Sequence, residues 1–313
     1  MDYKMNMDKR KLSIVVLTMN RKYQVTEAIM SCMACNLPKD TQIVVVDNGS
    51  TDGTEKEVKK TLSNYSGPVL YHRIEQNIGC APGRQVGYEL ANAEYVYFMD
   101  DDAIIPNEMK SSFFISSIEY LDANPMAASL TTRIKDIVLK YDRPPDIARN
   151  GESLGDKPLM LMYLGGSHFL RKKAFPLPLY MKIKYGYEEF APSVSIYDRG
   201  LCNVYSSELF IIHKPKINKW IESSDESVHI ARLNCYLPYA IKRYLYPSLI
   251  QPILLTLYLL RIIKHFGFSI SDFRYCIQNS KMMYKQFCRD GIYGKIRFKT
   301  IIKLVTAFGV SVL

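Results

Sequence analysis

Along the first hundred residues, short unbroken apolar runs alternate with stretches whose apolar positions recur every three to four residues. Residues 13–17 (SIVVL) form the first run, and Thr18-Met19-Asn20-Arg21 ends it. An uninterrupted run of that length reads as a strand buried on both faces. Helical spacing over 22–35 follows and stops at Asn36-Leu37-Pro38. Residues 41–46 (TQIVVV) predict a second strand, broken by Asp47-Asn48-Gly49-Ser50-Thr51-Asp52-Gly53. A helix over 54–62 and a third strand over 69–73 come next, and a glycine-bearing connector, 77–84 (NIGCAPGR), opens a third helix. The fourth run, 95–99 (YVYFM), halts at Asp100, Asp101 and Asp102. Alternating strands and helices with short links predict the α/β class, with a mostly parallel sheet and helices on both faces. In such sheets ligands bind outside the carboxyl ends of the strands, where Thr18, Asp47 and the three aspartates all fall.

Further along, residues 107–124 predict a core helix through Phe113, Phe114, Ile118 and Leu121. Residues 134–158 are polar and carry Pro144, Pro145, Gly151, Gly155 and Pro158, which reads as a long loop. Gly165-Gly166 lies between apolar residues, a pattern that suits close approach of the backbone to a ligand. A strand over 209–212 ends at His213.

Composition separates the chain into two parts. Of 313 residues, 48% are hydrophobic and 23% charged, which fits a folded protein rather than a disordered one. From residue 232 onward there are 13 Lys or Arg against 2 Asp or Glu, so the net charge of +10 resides in the C-terminal quarter. The expected organisation is a short tail over 1–11, one domain over 12–231 and a basic helical region over 232–313. The domain would divide into a nucleotide-binding half, 12–106, and an acceptor half, 107–231. Seven scattered cysteines argue against a disulfide framework and for a reducing compartment. Cys32 and Cys35 form a CxxC within a helical pattern and read as packing thiols. Residues 1–11 lack the apolar segment of a signal peptide.

Three successive carboxylates repel one another and call for a counter-charge, either solvent around an acidic turn or a hard divalent cation that also bridges phosphate. Asp47 is suited to hydrogen bonds from a base or a ribose hydroxyl, while its loop also reads as a capped turn. Neither a G-x-G-x-x-G fingerprint nor a Walker loop follows the first strand. His168 reads as structural. Glu188 and Glu189, between Tyr187 and Phe190, are candidates for a general base raised by an apolar setting, or for charge at a helix start.

The segments SIVVLTMNR, IVVVDNGSTDGT, EQNIGCAPGRQVGYELANAEYVYFMDDD, LGGSHFL and GYEEF occur in that order, and together the chain resembles family-2 glycosyltransferases. That resemblance implies a GT-A, Rossmann-like fold and inverting transfer from a nucleotide-diphospho-sugar. It implies a nucleotide pocket at Thr18, Asn20, Arg21, Asp47, Asn48 and Arg84, with Asp100 or Asp101 on the ribose. Asp102 would ligate Mn2+ or Mg2+, with His213 completing the metal shell. Gly165 and Gly166 would lie under the donor sugar, and Glu189, with Glu188 as the alternative, would be the base. Ala191 and Ser195 depart from the family pattern, which points to a different acceptor subsite. A nucleotidyltransferase and a non-catalytic sugar-nucleotide-binding scaffold are the competing readings.

Between Arg243 and Arg261 lie 17 uncharged residues, interrupted by Pro247, Gln251 and Pro252. The stretch is marginal for a full membrane span and suits an interfacial or shallowly inserted helix, with a buried core helix as the alternative. Downstream, Lys281, Lys285, Arg289, Lys295, Arg297, Lys299 and Lys303 fit an anionic membrane surface at ~1 kcal/mol each. No nucleic-acid motif accompanies them. The expected location is the cytoplasmic face of a membrane, and the expected acceptor is a glycan, lipid-linked, of the surface-polysaccharide kind.

Overall fold

The computed structural model describes residues 10–138, 140–142, 145–215 and 224–313. Most of the expected tail, and Pro144 of the expected loop, lie outside these residues. The first half alternates as its apolar runs predict: β1 (Arg10–Thr18), α1 (Lys22–Met33), β2 (Gln42–Asp47), α2 (Thr54–Leu62), β3 (Val69–Arg73), α3 (Cys80–Leu90) and β4 (Ala93–Asp100). β1 begins at Arg10, inside the expected tail, because Arg10 pairs with Ala93 and Lys11 is held by Glu94 and Asp122. These four strands run parallel in the order β3-β2-β1-β4. Gly83 and Gly87 let α3 lie close against the sheet. A Cβ on either would come within 2.6 Å of Leu17 or 2.4 Å of Val15.

The second half completes a mixed sheet. It contains β5 (Ala103–Ile104), α4 (Phe113–Ala123), β6 (Ala127–Asp136), β7 (Tyr141–Asp142), β8 (Ser153–Leu154), β9 (Lys157–Met160), β10 (Ser167–Arg171), α5 (Phe190–Asp198) and β11 (Cys202–His213). β10 inserts antiparallel between β4 and β6, and β11 continues parallel to β6. The aromatic core gathers on β4, where Tyr97 meets Phe113, Phe114 and Phe169 with ring centroids 5.5, 5.2 and 4.5 Å away.

The expected loop over 134–158 is corrected at its start, where β6 runs to Asp136. Beyond that the described residues are mostly irregular, with short paired segments at β7, β8 and the first residues of β9. Polarity misleads at that start because Asp136 is buried at the end of β6, its carboxylate 2.9 Å from His213 Nδ1. Ahead of that stretch β6 also buries hydroxyls that are satisfied internally: Ser129 donates to Asn203 at 2.7 Å, and Thr132 pairs with Ser167 at 2.6 Å. The helix expected from residue 107 begins at Phe113, after a 3-10 turn over Asn107–Met109.

The chain ends in α6 (Ser224–Leu245), α7 (Gln251–Phe266), α8 (Ile270–Asp290) and α9 (Phe298–Phe308). α6 crosses position 231 without a break. These helices share the sheet domain's core. Tyr246 and Phe308 are fully buried, Thr300 donates to Asp198 at 2.6 Å, and Arg149 N–H reaches the Ala307 carbonyl at 2.7 Å. α7 buries Leu254, Tyr258 and Ile262 and leaves Ile253, Leu257 and Leu260 exposed.

Candidate active site

Strand register sets the site. Thr18 pairs with Asp47, Leu17 with Asp100, and His213 with Asp136, so the carboxyl ends of β1, β2, β4, β6 and β11 deliver polar residues to one edge. At β2, the fully buried Asp47 accepts from Tyr71 Oη at 2.5 Å and from the Ser50 N–H at 2.8 Å, with Arg73 3.8 Å away. Asn48 braces the neighbouring connector, donating to Asn77 and accepting from the Ile78 N–H. Asn20, with φ of +52°, holds the β2 loop by accepting from the Thr51 N–H at 2.7 Å.

The aspartate triplet divides by direction. Asp101 turns inward, accepting from Thr18 at 2.7 Å and Arg21 at 2.8 Å. Burial pushes its carboxyl up to about 6, against the pull of Arg21. Asp102 accepts from Arg21 at 2.6 Å and faces His213 Nε2 at 3.1 Å. Burial works to raise Asp102, but the His213 hydrogen bond and the Arg21 charge outweigh it and hold the carboxyl below its ordinary value. Asp100 points elsewhere, to Arg84 Nη2 at 2.8 Å.

Asp100, Asp102 and His213 offer donor atoms that all lie within 4.8 Å of one another. His213 Nδ1 lies 2.9 Å from Asp136 Oδ2. A proton moved to Nδ1, against Asp136, would turn the His213 Nε2 hydrogen bond to Asp102 into a pair of donor atoms able to share one cation, in the manner of a carboxylate-oriented metal imidazole. Two hard carboxylates and one oriented imidazole suit Mn2+ or Mg2+, so the residues fit a divalent metal.

Arg84 is the hinge of the arrangement. It is buried and donates to Glu188 and Glu189 at 3.1 Å each, to Asp100 at 2.8 Å and to the Gly165 carbonyl at 3.1 Å. Burial opposes its charge, and the surrounding acids more than restore it. Glu189 is pushed up to about 8, first by burial and then by Glu188, with Arg84 opposing. The turn that presents the pair places Gly186 and Tyr187 at φ of +84° and +62°. Tyr187 stacks on Phe190 with centroids 4.9 Å apart, and Lys242 of α6 lies over both rings.

Gly165 is required by this packing. A Cβ there would sit 2.4 Å from Glu189 Oε1 and 2.7 Å from Arg84 Nη1. Gly166 contributes its carbonyl to the Asp100 N–H at 3.1 Å. His168 is buried between Phe98 and Tyr163, and burial, with help from Arg84, lowers it to about 3, so it is neutral and structural. Thus Thr18, Arg21, Asp101, Asp102 and His213 form one cluster, and Arg84, Asp100, Glu188, Glu189 and Gly165 a second that adjoins it. Asp47, Asn48 and Asn20 form the wall at β2. Asp136, Tyr71 and Arg73 were not singled out by sequence reasoning. Tyr71 and Arg73 share one face by period-two spacing at a strand end, and Asp136 closes a strand hidden by its own polarity.

A family model described as glycosyl transferase family 2 matches residues 13–175, more than half of the chain. Abequosyltransferase RfbV of Salmonella typhimurium is 33% identical over 102 residues, covering 31% of this chain and 30% of that protein. Poly(ribitol-phosphate) beta-N-acetylglucosaminyltransferase TarS of Staphylococcus aureus is 36% identical over 101 residues, 31% of this chain and 17% of its own length. The matched segment therefore spans less than a third of either relative. Among solved structures, S. aureus TarS 1–349 in complex with UDP-GlcNAc aligns with a TM-score of 0.59 at 17% identity, over 93% of this chain and 83% of that one. Mannosyltransferase PcManGT from Pyrobaculum calidifontis, in complex with GDP-Man and Mn2+, aligns at 0.58 and 15% identity, over 96% and 80%. At such identities the likeness is one of fold, and the mixed, mostly parallel α/β sheet is the GT-A arrangement expected from the resemblance.

Proposed function

Because the chain belongs to glycosyl transferase family 2, we propose that it transfers a sugar, with inversion, from a nucleotide-diphospho-sugar to a hydroxyl of a glycan acceptor. The observation that carries this reading is the position of Arg84, which sets the Glu188–Glu189 pair beside Asp100 and hence beside the carboxylates suited to a cation. The nucleoside binds at the β2 wall, and Asn20 and Asn48 fix the loops around it. Asp47 braces that wall from beneath through Tyr71, Arg73 and the Ser50 N–H, a correction to its expected contact with the base. Glu189 takes the proton from the acceptor hydroxyl as that oxygen attacks the anomeric carbon, and the bond from that carbon to the diphosphate breaks. A raised pKa suits this role, since the carboxylate is basic near neutral pH. Asp100, Asp102 and His213 would hold Mn2+ or Mg2+, which supplies counter-charge to the diphosphate when bound.

The acceptor in this reading is lipid-linked and met at the cytoplasmic face of a membrane during surface-polysaccharide synthesis. The exposed apolar residues of α7 and the excess of basic residues after 232 support it. TarS, named for transfer to poly(ribitol-phosphate), is a relative that acts on a polymer. The test is a panel of nucleotide sugars with Mn2+. One donor should be consumed, EDTA should abolish the reaction, and Asp102→Ala and Glu189→Ala should be inactive yet folded. No turnover with any donor would overturn the reading, and pyrophosphate release from a nucleoside triphosphate would replace it with nucleotidyl transfer.

A further inference from the structure

A second concave site lies among the C-terminal helices, and the transfer chemistry makes no use of it. It is a cavity of about 620 Å³ whose lining includes Arg243 of α6, Lys281 of α8 and Lys295 beyond it. Among the described residues, no carboxylate lines it. Three cations converging without an acid cost Coulomb repulsion, and the surroundings hold two of them in place by other means. The Arg243 guanidinium lies over the Tyr284 ring, 4.3 Å from its centroid. Lys295 donates to the Arg243 and Tyr246 carbonyls at 3.1 Å each. Partial burial lowers the Lys295 pKa, with Cys288 opposing and the Arg243 charge adding to the fall.

The same helix that walls the cavity carries an unpartnered apolar stripe. Pro252 and Leu255 of α7 line the cavity. Ile253, Leu257 and Leu260, at positions i, i+4 and i+7, face outward, and Leu260 is 56% exposed. Leu249 before the helix and Phe268 after it extend the exposed apolar surface, at 71% and 86%. Residues 248–266 form one apolar helical stretch that is mostly exposed, unlike a core helix.

We propose that this cavity takes the phosphate group of an anionic membrane lipid, with the lipid chains lying along the exposed stripe of α7. Cations without acids select a phosphate, and the adjoining stripe selects a lipid over a soluble phosphate. Nucleic acid would supply phosphate but nothing to cover the stripe. The inference deepens the membrane-surface reading given above and rests on it, while standing apart from the chemistry of transfer. It turns diffuse attraction of a basic tail into one defined contact that fixes how the protein sits on the bilayer.

Flotation with vesicles of phosphatidylcholine alone, and of phosphatidylcholine mixed with phosphatidylglycerol, tests it on the full chain. The wild type should float with the mixed vesicles. Arg243→Gln/Lys281→Gln should lose about thirtyfold in binding, with its melting temperature and donor turnover unchanged. Lys299→Gln/Lys303→Gln removes the same charge from exposed positions on α9, outside the cavity lining, and should lose far less. Equal losses in both variants would overturn the cavity site and leave the membrane reading standing. Failure of the wild type to bind either vesicle would overturn both. Displacement from vesicles by inorganic phosphate at low millimolar concentration would show a soluble phosphate site and overturn the lipid assignment.

Discussion

Replacing Glu189 by Gln should inactivate the protein and stabilise it. Glu189 is buried but for about a tenth of its side chain, and burial raises its carboxyl from 4.5 to about 8. The unfolded chain releases that proton near the ordinary value, so between these two pH values the folded state holds more protons than the unfolded one. Stability contributed by this group therefore falls as pH rises through the window, the reverse of a carboxylate stabilised by a salt bridge. Worked through proton linkage, the penalty at pH 7 is about 3 kcal/mol. Glutamine keeps the shape and cannot ionise, so Glu189→Gln should exceed the wild type by up to that amount at pH 7, and by little at pH 5. Loss of the Arg84 contact offsets part of the gain. Urea denaturation from pH 5 to 9, without metal or nucleotide, measures the difference. The same group should govern turnover: kcat/KM of the wild type should climb through about pH 8, and the Gln variant should lose about 10²–10⁴ in rate. A stability difference independent of pH would refute the enclosed-acid argument. A Gln variant within about tenfold of wild-type turnover would move the base to another residue, with Glu188 next to be tested.

Gly165→Ala should cut kcat at least tenfold and lower the melting temperature, though by less than Arg84→Ala, because its Cβ would displace the paired Glu189 and Arg84 side-chain ends rather than backbone; unchanged kcat would show that the pair has room to shift. Asp136→Asn should raise the Mn2+ concentration for half-maximal activity about 10- to 100-fold by loosening the His213 ring, read by metal titration at saturating donor. Arg84→Ala leaves Glu188, Glu189 and Asp100 without their shared cation and should cost about 3–5 kcal/mol of stability at neutral pH, seen as a lower urea midpoint. Protonating the acids should narrow that deficit at low pH.

The parallel half of the fold was legible because β1, β2 and β4 are nearly uniform apolar runs joined by short links, and their ends named Thr18, Asp47 and the aspartates directly. β6 was not legible. Ser129 and Thr132 make it look solvated, whereas their hydroxyls are spent on Asn203 and Ser167 across the sheet. Asp136 was lost with that strand, and its pairing with His213 spans 77 positions. Arg84 shows the same limit at the heart of the site. Its segment was visible as a connector, but its acidic partners Glu188 and Glu189 stand 104 and 105 residues away, and no local pattern encodes that distance. Gly165 shows how a pattern can be read while its cause stays hidden. Paired glycines announced a close approach, and the room beside Gly165 is filled by the Arg84 and Glu189 side chains themselves. Sequence thus nominated the reactive groups one at a time, and the fold decided which share a proton, a cation or a wall. The properties that the proposed transfer calls on, a raised Glu189 and an oriented His213, belong to those pairings and arise only when distant strand ends and turns are brought together.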